Sequence, residues 1–146
     1  MKNNKKNHVV QARILTDDFL ERTGISNSSG NPRRRYLWTD AFAVQNCFAL
    51  ANILNSAGYR KKALRLIERV HETLGQHRPD DSREGWISGL PDNEGKIHPT
   101  AGGLRIGKDN PEQNNSSPYN RGQEWDRDGQ YFHYLMRWFS ALAQAQ

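Results

Sequence analysis

Apolar residues in this chain recur at helical spacing in four blocks, separated by polar stretches rich in Gly, Pro, Ser and Asn. The first block, "HVVQARILTDDFLER" over residues 8–22, sets Val9, Val10, Ala12, Leu15, Phe19 and Leu20 near one face and charge on the other. It predicts an amphipathic surface helix that stops at Gly24. The second, "WTDAFAVQNCFALANILNSAG" over 38–58, has no clear polar face and predicts a helix buried on nearly every side. Thr39 is placed to cap it, Asp40 suits the positive end of its dipole, and Gly58 marks its end. The turn "SAGY" leads into "RKKALRLIERVHETLG", where Ala63, Leu64, Leu66, Ile67, Val70 and Leu74 form one stripe. So short a turn makes this outer helix antiparallel to its predecessor. The fourth block, from about Asp128 to Ala145, carries Tyr131, Phe132, Tyr134, Leu135, Met136, Trp138, Phe139 and Leu142. It is again apolar nearly all round.

The expected fold is therefore all-α, built of antiparallel helical hairpins. Residues 1–7 read as a disordered polar tail, and 8–146 as one domain. Residues 24–37 read as a loop. Residues 75–127 read as a long irregular loop, with turns at "LPDNEG" and "NSSPYN" and a short β-strand at "GGLRIG". A stretch of that length without regular structure is uncommon unless it is functional. Both long loops run into the N-terminal ends of apolar helices, so "YLWTD" (36–40) and "EWDRD" (124–128) are expected to meet at one rim.

Composition narrows the function classes. The net charge of +5 suggests nucleic acid until it is located. Residues 1–38 hold eight Lys/Arg against three Asp/Glu, which is the whole excess. A phosphate-tracking surface needs a sustained basic stripe, so nucleic acid is not the expected partner, and "PRRRY" supports RNA binding on local charge alone. Mean hydropathy is low, at -0.94, yet aromatics supply 10% of the chain, so its apolar content is concentrated in the helical blocks and wholesale disorder is not expected. No run approaches the apolar length of a membrane span, and the start lacks the apolar core of a signal peptide. A soluble cytoplasmic protein is expected. The lone Cys47 sits in an apolar run and reads as a small buried hydrophobe. His71, His77 and His98 lack metal-ligand spacing, so neither a metal nor a cofactor is implied.

The candidate chemistry lies at the expected rim, where tryptophan and carboxylate recur side by side. An indole face stacks on the C–H side of a sugar ring, and adjacent carboxylates bind vicinal hydroxyls or act as general acid and base. Asp40, Glu84, Asp126 and Asp128 are the candidate catalytic acids. Trp38, Trp86, Trp125, Arg105, Arg127, Gln130 and His133 are the candidate substrate-binding residues. Asp40, Asp128, Trp38, Trp125 and His133 also have a plainer reading. Asp40 and Asp128 also stand where helix-capping acids stand, the tryptophans where helix ends close a core, and His133 where an aromatic core takes a hydrogen-bonded imidazole.

The segments "RRYLWTDAFAV", "ALANIL", "REGWISGL", "HPTAGGLRIGK" and "EWDRDGQYFHYLMRWFSAL" together resemble the six-hairpin (α/α)6-barrel superfamily over about residues 33–143. The likeness is to its glycosidase-like and sugar-epimerase-like branch. That resemblance implies inner helices alternating with outer ones, and a carbohydrate ligand in a funnel at the N-terminal side of the inner helices. Such a toroid needs about twelve helices, and the pattern supplies about two of its six hairpins. The chain is then expected to be a partial toroid, inactive alone as a hydrolase or epimerase, that needs further C-terminal helices or self-association. The alternative is a helical-hairpin interaction module, since "ALANILNSAGYRKKALRLIERV" resembles one tetratricopeptide-type hairpin.

Overall fold

The computed structural model describes residues 2–26, 34–112 and 118–146, with side chains from Lys6 onward. Six helices form among the described residues: α1 (Lys2–Arg22), α2 (Leu37–Ile53), α3 (Ala57–Leu74), α4 (Asp92–Ile97), α5 (Arg121–Glu124) and α6 (Phe132–Leu142). A 3-10 turn follows at Ala143–Ala145. The chain is mostly helical, and among the described residues it has no sheet; the only β pairing is two isolated bridges, Gln76–Trp86 and Asn110–Arg127.

The short strand expected at "GGLRIG" is not formed. Leu104 and Ile106 are buried, but the backbone partners of this segment lie on three separate stretches. Arg105 N–H donates to Leu74 O, Ile106 N–H to Gly129 O, and Leu37 N–H to Ile106 O. A ladder needs successive bonds to one partner strand, and none is available here.

α2 is the centre of the molecule, and α1, α3 and α6 pack around it. Leu37, Ala41, Val44, Cys47, Phe48 and Leu50 are buried against them, but Phe42 is 41% and Ile53 63% exposed, so the helix is not buried on nearly every side as its apolar pattern predicts. The small side chains of Ala41, Ala43, Ala51 and Ala63 in the core cluster allow close helix approach. α3 contributes Tyr59, Ala63, Leu66, Val70 and Leu74; the last four belong to the stripe read from its sequence, in which Ile67 is half-buried against the core and Leu64 is exposed, and Tyr59 is an addition to it.

Helix ends correct the expectations at two points. α1 starts at Lys2, so residues 2–7, read as a tail, belong to the helix. α2 stops at Ile53 and not at Gly58, which lies in the first turn of α3. The stop is a Schellman motif: Asn55 takes φ +48°, and Ser56 N–H donates to Ala51 O. Asparagine tolerates this left-handed conformation better than most residues do. Gly24, with φ +75°, closes α1 in the same way through Ile25 N–H to Leu20 O.

α6 departs furthest from its reading. Only Trp138 and Ala141 are buried, while Phe132 is 77%, Met136 50% and Phe139 52% exposed. Residues 132, 136 and 139 fall on one face, and α2 is the helix that α6 packs on. Within the described residues nothing covers the opposite side.

Candidate functional site

The two segments expected to meet do so, through the 104–110 loop. Leu37 N–H donates to Ile106 O (3.0 Å) and Ile106 N–H to Gly129 O (2.8 Å). Asp128 N–H donates to Asn110 O (2.7 Å), and Asn110 N–H to Asp126 O (2.9 Å). The entries to α2 and α6 are thereby held on the same side of the molecule. Side chains complete the join. The hydroxyls of Tyr36 and Tyr134 share a hydrogen bond of 2.7 Å, and Lys108 Nζ lies 5.2 Å from the centre of the Tyr36 ring and 3.8 Å from Asp126 Oδ1.

Aromatic rings dominate this rim. Trp38 meets Tyr134, Phe42 and His133 edge-to-face, at centroid distances of 5.2, 5.9 and 6.3 Å. His133 also lies 4.8 Å from Tyr134 and 6.2 Å from Tyr131. The Arg137 guanidinium sits 5.3 Å from the Trp38 ring centre and 4.9 Å from that of Phe42. Trp38, Tyr131 and Tyr134 are half-buried and His133 is exposed, so the cluster presents ring edges and faces to solvent. Burial and the shared hydrogen bond with Tyr36 push the Tyr134 phenol up to about 12, which keeps it a neutral donor across the physiological range.

The four candidate acids fall into two pairs. Asp40 and Asp128 are buried and held by arginine. Asp40 accepts from Tyr36 N–H (3.2 Å) and has Arg35 Nη1 at 3.6 Å. Burial pushes its carboxyl up to about 6 against the pull of Arg35. It serves the first turn of α2, where Thr39, expected as the cap, instead donates its hydroxyl to Tyr36 O (3.1 Å). The N-cap residue is Tyr36. Asp128 accepts four hydrogen bonds: from Arg105 Nη1 (2.8 Å), Arg78 Nη1 (3.2 Å), Gly107 N–H (2.7 Å) and Gly129 N–H (3.0 Å). Arg105 also donates to Thr73 O and Gln76 O, tying the loop to the C-terminal end of α3, where a cation suits the dipole. Asp126 and Glu84 are exposed.

The remaining candidates are divided between sites. Trp86 is buried in the 75–127 segment, with its Nε1–H on Asp92 (3.2 Å) and Gly95 against its ring, and it lines a groove with Leu64, Ile67 and His71 of α3. Trp125 is 82% exposed. Arg127 pairs with Glu124 at 3.5 Å, and Gln130 donates to Gly102 O (2.5 Å). Arg105, Asp128 and Gln130 share a small pocket of about 110 Å³ with His77, Arg83 and Glu112. Two functional-looking residues are not marked by the sequence, Tyr36 and Tyr134. Tyr36 precedes the helix, so no periodicity marks it, and Tyr134 reads as core; Lys108, which closes "GGLRIGK", reads only as a cation that the loop offers beside Arg105.

No helix of the described chain is long and apolar enough to cross a membrane. No family model matches this sequence, and no curated protein or solved structure is significantly similar to it.

Proposed function

We propose that this chain is a carbohydrate-binding helical protein of the partial (α/α)6-toroid kind, with its sugar site at the rim shared by α2 and α6. The observation that carries the reading is the ring cluster of Trp38, His133, Tyr131 and Tyr134 beside Asp126 and Lys108. Ring faces supply stacking for sugar C–H groups, and the tyrosine, aspartate and lysine heads supply donors and acceptors for hydroxyls. Asp126 is the exposed candidate acid joined to the rim through Lys108, which also lies over the Tyr36 ring, so it is assigned to hydroxyl binding. Asp40 and Asp128 have their oxygens committed to the protein and are assigned to holding the rim in place. The proposal is of binding; catalysis by a glycosidase-like or epimerase-like route would need groups from further helices.

Tryptophan fluorescence titrated with neutral mono- and oligosaccharides tests it. Saturable quenching that is insensitive to salt and lost in Trp38→Ala is expected. Titrations in which Trp38→Ala behaves as the parent chain, or in which no sugar alters the emission, would remove the reading.

A second reading, a helical interaction module, is favoured by one specific observation: the exposed Phe132, Met136 and Phe139 face of α6. The two are compatible, since a toroid also covers its inner helices with neighbours.

A further inference from the structure

A concave pocket of about 190 Å³ lies between the segment entering α2, the C-terminal end of α3 and the 105–109 loop. Its wall contains Arg34, Arg35, Arg78, Arg105 and Lys108, with Asp109 as its one carboxylate among the described residues. The other acids that pair with these cations (Asp40, Asp80, Asp126 and Asp128) are not part of the wall. Each wall cation thus has a carboxylate within 3.8 Å, and what the pocket offers an anion is the set of N–H donors that those pairs leave unused.

The donors are unequally committed. Arg78 is spent on Asp80, Asp128 and the carbonyls of Lys108 and Asp109. Arg105 has one N–H on each terminal nitrogen beyond its bonds to Thr73 O, Gln76 O and Asp128. Arg34 gives one terminal nitrogen to Asp109. Lys108 Nζ stands 3.8 Å from Asp126, beyond hydrogen-bond reach. Arg35 has a side chain only 2% exposed, and its Nη1 stands 3.6 Å from Asp40 Oδ1, an ion pair too long for a hydrogen bond, with no other hydrogen-bond partner. A buried guanidinium nitrogen left without an acceptor costs free energy, and that cost is removed when an anion supplies one.

We infer that this pocket binds a phosphate group, free or as a monoester, through Lys108, Arg34 and Arg35. A tetrahedral dianion presents acceptors on several sides, as cations approaching from three chain segments require, whereas a planar carboxylate meets them on one edge. This inference shares Lys108 with the sugar reading, but none of the rim aromatics lines the pocket, so Trp38→Ala, which removes the sugar site, should leave phosphate binding unchanged.

Calorimetric titration of the full chain with sodium phosphate, against sodium chloride at equal ionic strength, tests it. Saturable heat with phosphate alone is expected, with a dissociation constant on the order of 1 mM or tighter. The double variant Arg34→Ala, Lys108→Ala should bind at least about tenfold more weakly, a loss of about 1.4 kcal/mol. Asp109→Asn, which removes the wall's carboxylate, should bind a few-fold more tightly, a gain that general damage to the fold would not produce. Trp125→Ala should bind phosphate as the parent does. Tighter binding of glucose 6-phosphate than of phosphate would assign the group to a sugar ester, and equal binding to the free ion. Absence of saturable heat, equal heat with chloride, saturation by acetate at the same affinity, or an Asp109→Asn variant that binds more weakly would overturn the inference.

Discussion

Trp138 Nε1–H donates a 3.1 Å hydrogen bond to His71 Nε2, and the two rings meet edge-to-face at 5.6 Å. The bond ties α6 to α3 across the side of α2. It requires His71 to be neutral at Nε2, and burial alone pushes this imidazole down to about 4. The unfolded chain takes up the same proton near 6.5, its ordinary value. Between those values the unfolded state binds more protons, so stability falls as pH drops from about 6.5 toward 4.

The first prediction concerns that pair. Trp138→Phe leaves the His71 acceptor unsatisfied and should cost about 1–2 kcal/mol in urea unfolding at pH 7. His71→Gln should remove the acid-side loss, so that its stability between pH 6.5 and pH 4 declines less steeply than the parent's. An unchanged acid limb in His71→Gln would show that His71 is not the group responsible.

Asp40 supplies a pH dependence of opposite sign. Its folded carboxyl titrates at about 6 against an ordinary value of 3.8. The folded state therefore binds more protons between these values, and the contribution of Asp40 is largest at low pH and lost as pH rises through 6. Asp40→Asn should make the fall in stability on acidification steeper than in the parent. Arg35→Met alone strands a buried carboxylate and should cost about 3–5 kcal/mol at pH 7. The double variant Arg35→Met, Asp40→Leu should cost less than Arg35→Met, which a double-mutant cycle would measure.

Asp128 is expected to act through structure. Its four hydrogen bonds include two from arginine, so Asp128→Ala leaves Arg78 and Arg105 partly unpaired and two loop amides, Gly107 and Gly129, without their acceptor. A loss of about 3–5 kcal/mol is expected, read as a lowered melting temperature by circular dichroism. A variant as stable as the parent would return Asp128 to the candidates for chemistry.

The exposed face of α6 makes a prediction about association. Three large apolar side chains on successive turns of one helix form a patch of the kind soluble proteins usually cover. Light scattering should show concentration-dependent self-association, reduced in Phe132→Ser, Phe139→Ser. A parent chain that stays monomeric at about 17 kDa over the concentration range would argue against any role for this face in assembly.

The sequence by itself determined the four long helices and most of their inner faces, because apolar spacing follows directly from 3.6 residues per turn, while the short α4 and α5 lie in the segment read as irregular. It located the α2–α3 hairpin and the stop at Gly24, and loop lengths alone placed the entries to α2 and α6 on one side. Tertiary structure decided the rest. Periodicity reports how apolar a helix is and not which neighbours exist, so α6 was read as enclosed when its Phe132, Met136 and Phe139 face lies open. Nor does it report ion pairing: Asp40 and Asp128 look alike as first-turn acids, yet Asp40 is buried against its near neighbour Arg35 and Asp128 against Arg78 and Arg105 from distant stretches of chain. The join of Tyr36, Lys108 and Tyr134 was likewise invisible, since contacts between residues 36, 108 and 134 depend on how loops close, and no local pattern encodes that closure.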